Sequence, residues 1–124
     1  MRLVAIVQAR LGSIRLPDKV IKKINGKPLI ELLLRRLSRS NEIDQIVVAI
    51  PNHNSNDKLE LLIESLGYRC FRGDENDVLK RYFVVAEQSK ADAIIRVTAD
   101  CPLVDPYLLD DMIINYKKIN VDYL

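Results

Sequence analysis

The chain has 124 residues, with 19 basic and 17 acidic side chains and a formal net charge of +2. That length suits one domain, residues 1–124, and lets it bury roughly two-thirds of the surface an unfolded chain exposes. So even a charge balance argues against nucleic acid as the main partner and requires any electropositive site to come from local clustering. Cys70 and Cys101 stand far apart without a CxxC or histidine pattern, which speaks against a metal cluster or a disulfide framework. No apolar run approaches the length of a membrane span or a signal-peptide core, so a soluble, cytoplasmic protein is expected.

Short β-branched runs alternate with longer amphipathic segments. LVAIV (3–7) predicts a strand, followed by a polar loop and by PLIELLLRRLSRS, where Pro28 suits a first helical position and the leucines recur at helical spacing up to Leu37. Arg35, Arg36 and Arg39 are expected on its solvated face. QIVVAI (45–50) reads as a strand covered on both faces; PNHNSN as a loop; DKLELLIESLG as a helix capped by Asn56 and ended at Gly67. YRCFR (68–72) predicts a third strand, GDEN a turn whose Asn76 or Asp74 can cap the helix VLKRYFVVAEQ, and AIIRVT (93–98) a fourth strand. DCPLVDP is a loop, YLLDDMIINYKK a further helix, and VDYL the start of a fifth strand. Strand–helix alternation of this kind predicts a mostly parallel sheet between helices, a three-layer α/β sandwich.

In open α/β sheets ligands sit beyond the carboxyl ends of the strands, so the loops after the strands carry the candidate chemistry. In the first, Gly12 and Ser13 let the backbone approach a ligand, while Arg10, Arg15 and Lys19 cluster positive charge suited to a polyphosphate. The bland alternative is ordinary solvated charge. Neither GxxxxGK[ST] nor GxGxxG is present, which removes the main support for kinase, GTPase and dinucleotide readings. In the last loop Asp100 directly follows a strand and suits a magnesium ion shared with a nucleotide, with a turn-forming aspartate as the alternative. Asp105 before Pro106 reads as a helix cap. Of Asp74, Glu75 and Asp77, at least one is expected to cap the following helix, and the loop can also face a ribose or a base. His53, without a second histidine or a paired nucleophile, reads as a loop residue.

The strings ARLGSIRLPDKVI and NGKPLIELLLRRL resemble the nucleotide-binding signature of the cytidylyltransferases that activate sugars as CMP conjugates. The pattern is most similar to the family of spore-coat polysaccharide biosynthesis, with the CMP-Kdo and CMP-sialate synthetases as relatives. GDENDVLKRY and RVTADCPLVDP resemble that family's third and fourth loops in order and spacing. The resemblance implies a Rossmann-like fold of the nucleotide-diphospho-sugar transferase type and a transfer of CMP from CTP to a sugar in surface polysaccharide biosynthesis. It implies that Arg10, Ser13, Arg15 and Lys19, with backbone groups of Ala9 and Gly12, hold the triphosphate. Asp74, Asn76 and Asp77 would lie near the cytidine, and Asp100 would bind magnesium. Arg15, Lys19 and Asp100 are then the catalytic candidates, acting by positioning and charge neutralisation.

Members of that family run on beyond this length. The resemblance therefore implies a chain truncated at its C-terminus relative to them, with the rest of the sheet, most of the acceptor pocket, a second acidic metal ligand and much of a dimer contact in the remaining half. On that basis the chain is expected to self-associate through its C-terminal region or to take a partner segment. The alternative function is a nucleotide-binding module without turnover of its own.

Overall fold

The computed structural model of the chain describes residues 1–10, 21–99 and 104–119. In chain order the elements are β1 (Leu3–Gln8), β2 (Lys23–Ile24), β3 (Lys27–Pro28), α1 (Leu29–Leu37), β4 (Gln45–Pro51), α2 (Asp57–Ser65), β5 (Arg69–Gly73), α3 (Val78–Gln88), β6 (Ala93–Thr98) and α4 (Pro106–Lys118). Four of the strands form one sheet in the order β5-β4-β1-β6, with every pairing parallel. β1 is central: Val7 lies between Val48 and Val97, and Gln8 between Ala49 and Thr98. That position explains why its run Leu3–Val7 is apolar without alternation, since both faces are covered.

One face of the sheet packs on α1, α2 and α4. The helix α1 buries Leu29, Ile30, Leu33, Leu34 and Leu37 at helical spacing, and Ile30, Leu33, Leu34 and Leu37 meet Val7, Val48 and Ile50 from the strands and Leu59 and Ile63 from α2. The other face is covered by α3, whose Tyr82 and Val85 pack on Val4, Ile6, Val47 and Ala49. Helices on both faces make the three-layer sandwich that the alternation predicts.

The α4 helix is held by polar contacts as much as by Ile113. Asp110 accepts from the Ser40 hydroxyl and from the backbone N–H groups of Asn41 at 3.0 Å and Glu42 at 3.4 Å. Arg36, expected on a solvated face, is half-buried and donates through Nε to the Val104 carbonyl at 2.8 Å. Asp105 caps α4 as expected, its Oδ1 accepting from the N–H groups of Tyr107 and Leu108.

Other local expectations shift. Of the candidates for the cap of α3 it is Asp77 that accepts from Lys80 N, as the expectation that one of Asp74, Glu75 and Asp77 caps the helix allowed, and not Asn76 or Asp74. Asn56 precedes α2 but makes no side-chain cap; its amide is buried and donates to the Pro51 carbonyl. The small hairpin β2–β3 was not anticipated, although Asn25-Gly26 is its signal: both residues have positive φ, 53° and 82°, as a two-residue hairpin turn requires. Gly67, at φ 90°, follows α2 as expected. The strand expected at VDYL lies outside the described residues.

Candidate functional site at the carboxyl edge of the sheet

The parallel register brings the ends of all four strands to one edge. The Ala9 N–H donates to the Ala49 carbonyl at 3.2 Å and the Ala99 N–H to the Gln8 carbonyl at 3.0 Å, so the ladders run to the last residue before each loop of interest. The Asn52 N–H donates to the Gly73 carbonyl at 2.8 Å and ties the loops after β4 and β5 together. Strands in a sheet are spaced by about 4.8 Å, which places the ends of β1 and β5 on the order of 10 Å apart.

At the end of β1, Ala9 is buried and Arg10 is exposed. Because the Ala9 amide is already bonded to Ala49, it is not a spare donor for an anion, and Arg10 is the group there that can reach one. The remaining candidates of this loop, Gly12, Ser13, Arg15 and Lys19, lie outside the described residues, and so does Asp100, which follows Ala99 at the end of β6. Among the described residues no group of three or more His, Cys, Asp or Glu side chains could hold a metal ion.

The loop after β5 is described throughout and is tightly tied. The Asp74 Oδ1 accepts from the N–H groups of Asn76 and Asp77, each at 2.9 Å, and those bonds hold the Asp74 carboxyl below its ordinary value. The Asp77 Oδ1 caps α3. Asp74 and Asp77 thus each commit one carboxylate oxygen to the turn, while Asn76 and Glu75 present exposed side chains. Beneath them lies Arg81, a residue for which sequence reasoning gave no role. It is 3% exposed, and its Nη1 donates to the carbonyls of Asp74 at 2.6 Å and Glu75 at 3.3 Å. The signal available was its place four residues after the Asp77 cap, on the inner face of an amphipathic helix.

A second polar group sits on the α3 face near the same edge. The Tyr82 hydroxyl donates to Gln8 Oε1 at 3.2 Å, and the Arg96 guanidinium lies 4.8 Å from the Tyr82 ring centroid. The other titratable candidates have local duties. His53 accepts from Ser55 N through Nδ1 and is exposed, as a loop histidine would be. Burial, together with the charges of Glu60 and Glu64, pushes the Cys70 thiol up to about 12, so it carries no thiolate at neutral pH. A shallow cavity of about 400 Å³ bordered by Asp44, Gln45 and Tyr68 lies at the amino edge of the sheet, the end opposite to where open α/β sheets bind ligands.

A family model described as cytidylyltransferase matches residues 4–124. The chain is 40% identical over 122 residues to the spore coat polysaccharide biosynthesis protein SpsF of Bacillus subtilis, covering 95% of this chain and 51% of that protein. It is 30% identical over 115 residues to a 3-deoxy-manno-octulosonate cytidylyltransferase of Pelobacter propionicus, covering 91% of this chain and 44% of that one. A solved cytidylyltransferase from Leptospira borgpetersenii superposes with a TM-score of 0.91 at 34% identity, over 97% of this chain and 50% of that one. The chain thus spans about half the length of the curated relatives it matches. No helix among the described residues is long and apolar enough to cross a membrane.

Proposed function

This chain belongs to the cytidylyltransferase family, and we propose that it binds CTP across the carboxyl edge of its sheet and serves the transfer of CMP to a sugar. The acceptor class proposed is a sugar acid or a related precursor of surface polysaccharide. The observation that carries this reading is the convergence, at one edge, of the ends of β1, β5 and β6, which lead into the three loops whose strings resemble the family's.

In this reading Arg10, Gly12, Ser13, Arg15 and Lys19 receive the triphosphate, and the turn at Asp74, Asn76 and Asp77 lies toward the cytidine. The separation of about 10 Å between the ends of β1 and β5 suits a nucleotide lying along the edge, phosphates over β1 and base toward β5. Asp100 supplies a carboxylate of the kind that suits magnesium, and a divalent cation held there would offset the charge of the triphosphate. An acceptor hydroxyl oxygen forms the new bond to the α-phosphorus and gives up its proton to water, the bond from that phosphorus to the oxygen bridging the β-phosphate breaks, and pyrophosphate leaves with its electron pair. Arg15 and Lys19 act by holding the phosphates and stabilising charge on the leaving group, with no covalent enzyme intermediate.

A second reading, a nucleotide-binding module that does not turn over by itself, is favoured by one observation: among the described residues β6 is an edge strand whose Ile94 is exposed, and Leu79 and Phe83 on α3 are exposed as well. Further polypeptide, from a partner segment or a second copy, would cover such apolar groups. On α4 Leu108 and Met112 are exposed while Ile113 is buried.

Pyrophosphate release from CTP in the presence of magnesium and a panel of sugar acids separates the two readings. Release above the no-acceptor control supports the transferase. CTP binding by calorimetry without release supports the module. Arg15→Ala is expected to weaken CTP binding by about 1.5–3 kcal/mol, the worth of a charge-assisted hydrogen bond. Asp100→Asn is expected to abolish the gain in CTP affinity on adding magnesium. Unchanged affinity in a folded Arg15→Ala chain removes the phosphate-loop assignment.

A further inference from the structure

We propose that Arg81 is the positioning residue of the nucleoside side of this site, holding the turn at 73–77 in the conformation that faces the base and ribose; the proposal rests on the CTP reading above. An arginine that is 3% exposed is costly to bury unless its charge and its donors are satisfied. Here the described partners are two consecutive backbone carbonyls of one turn, Asp74 at 2.6 Å and Glu75 at 3.3 Å, and Nε is buried without a hydrogen-bond partner.

The turn does not require this arginine in order to close. Asp74 already accepts from Asn76 N and Asp77 N, and Asp77 already caps α3. What the guanidinium adds is direction. It draws the Asp74 carbonyl inward, and in a trans peptide the N–H of the next residue points the opposite way, so the Glu75 N–H is turned away from the protein. The exposed side chains of Glu75 and Asn76 stand on the same turn. A donor and an amide side chain fixed in this way suit a heterocycle or a sugar that offers acceptors and donors of its own.

Gly73 belongs to the same device. A Cβ at that position would lie 2.6 Å from Phe71 Cε1 and 2.8 Å from Arg81 Cγ, closer than atoms can approach, so glycine is what lets the arginine stem pass under the turn. The close approach decides the residue here, because Gly73 does not have positive φ.

The test compares the full chain with Arg81→Met and Arg81→Lys by calorimetric titration, in magnesium buffer, with CTP and with inorganic tripolyphosphate. In the CTP reading tripolyphosphate would engage the loops after β1 and β6 and not the turn at 73–77, so its affinity is expected to stay within about twofold in all three. CTP affinity is expected to fall about tenfold or more in Arg81→Met, the loss that corresponds to about 1.4 kcal/mol, and to be partly restored in Arg81→Lys, which keeps one donor toward the Asp74 carbonyl. A folded Arg81→Met chain that binds CTP as the wild type does overturns the proposal, and so does an equal loss for both ligands, which would mark a merely structural residue. If Arg81→Met does not fold, Gly73→Ala displaces the arginine stem while keeping its charge, and unchanged discrimination between CTP and tripolyphosphate in that variant overturns the proposal. A wild-type chain that binds neither ligand removes the CTP reading itself, and the proposal with it.

Discussion

The two faces of the sheet are covered unequally. On the face of α1, α2 and α4, strand residues from all four strands are sheltered, down to Val97 and Ala99 at the edge strand β6. On the other face, among the described residues, α3 packs mainly over β5, β4 and β1 and meets β6 through the Arg96 guanidinium over the Tyr82 ring, and along that strand Val97 is buried while Ile94, Arg96 and Thr98 are exposed. One strand therefore reports both situations. The first face is covered across all four strands and the second is covered less over β6, and on α3 Leu79 is 77% and Phe83 65% exposed.

The largest way to break this contrast is Leu34→Ala on α1. The side chain is fully buried among Val7, Val48 and Leu59, and its truncation is expected to cost about 2–5 kcal/mol by denaturant unfolding. A loss below about 1 kcal/mol would mean that this face is not close-packed.

Next in size is Asp110→Ala, which unties α4 from the loop after α1 and is expected to cost about 1–3 kcal/mol. Burial alone would raise the Asp110 carboxyl, but the hydrogen bonds from Ser40, Asn41 and Glu42 outweigh it and hold the group below its ordinary value. A carboxyl depressed in the folded state contributes stability above its unfolded pKa of about 3.9 and loses it as pH falls further, through the folded value. Unfolding midpoints measured from pH 7 down to pH 3 are therefore expected to fall more steeply in the wild type than in Asp110→Asn. Parallel curves would assign the acid sensitivity to other groups.

The smallest effect is expected on the open face. Phe83→Ser is expected to change stability by no more than about 0.5 kcal/mol, while lowering the binding of a hydrophobic dye to the native chain. A destabilisation of 2 kcal/mol or more, by this order-of-magnitude scale, would show that Phe83 is covered in solution and that the asymmetry between the faces is not real.

Much of the scaffold was legible because it depends on short periods. The unbroken apolar runs of β1 and β4 announced strands covered on both sides, and the leucines of α1 announced both a helix and the face it buries. Asp105 before Pro106 announced a cap, which the hydrogen bonds to Tyr107 and Leu108 bear out. Asn25-Gly26 is a hairpin signal too, but the strands it joins are two residues each, too short to show any alternation. The candidate loops were legible in the sequence, whereas the duties of individual residues within the described loop were legible only as alternatives. Asp77 was one of three acids expected to offer the cap of α3, and the choice among them, and against Asn76, depends on where the chain meets the helix.

By itself the sequence determined which segments are strands and helices and that their loops share an edge, because those properties follow from residue spacings of two to four and from the strand–helix alternation. Only the tertiary structure decided which helix shelters which face, that Arg81 lies beneath the turn whose carbonyls it holds, and that Asp110 holds Asn41 from 69 residues away. The physical reason is that a buried polar group is placed by its partners. The Asp110 carboxylate and the Arg81 guanidinium read as ordinary surface charges until the fold brings backbone groups within hydrogen-bond distance of them.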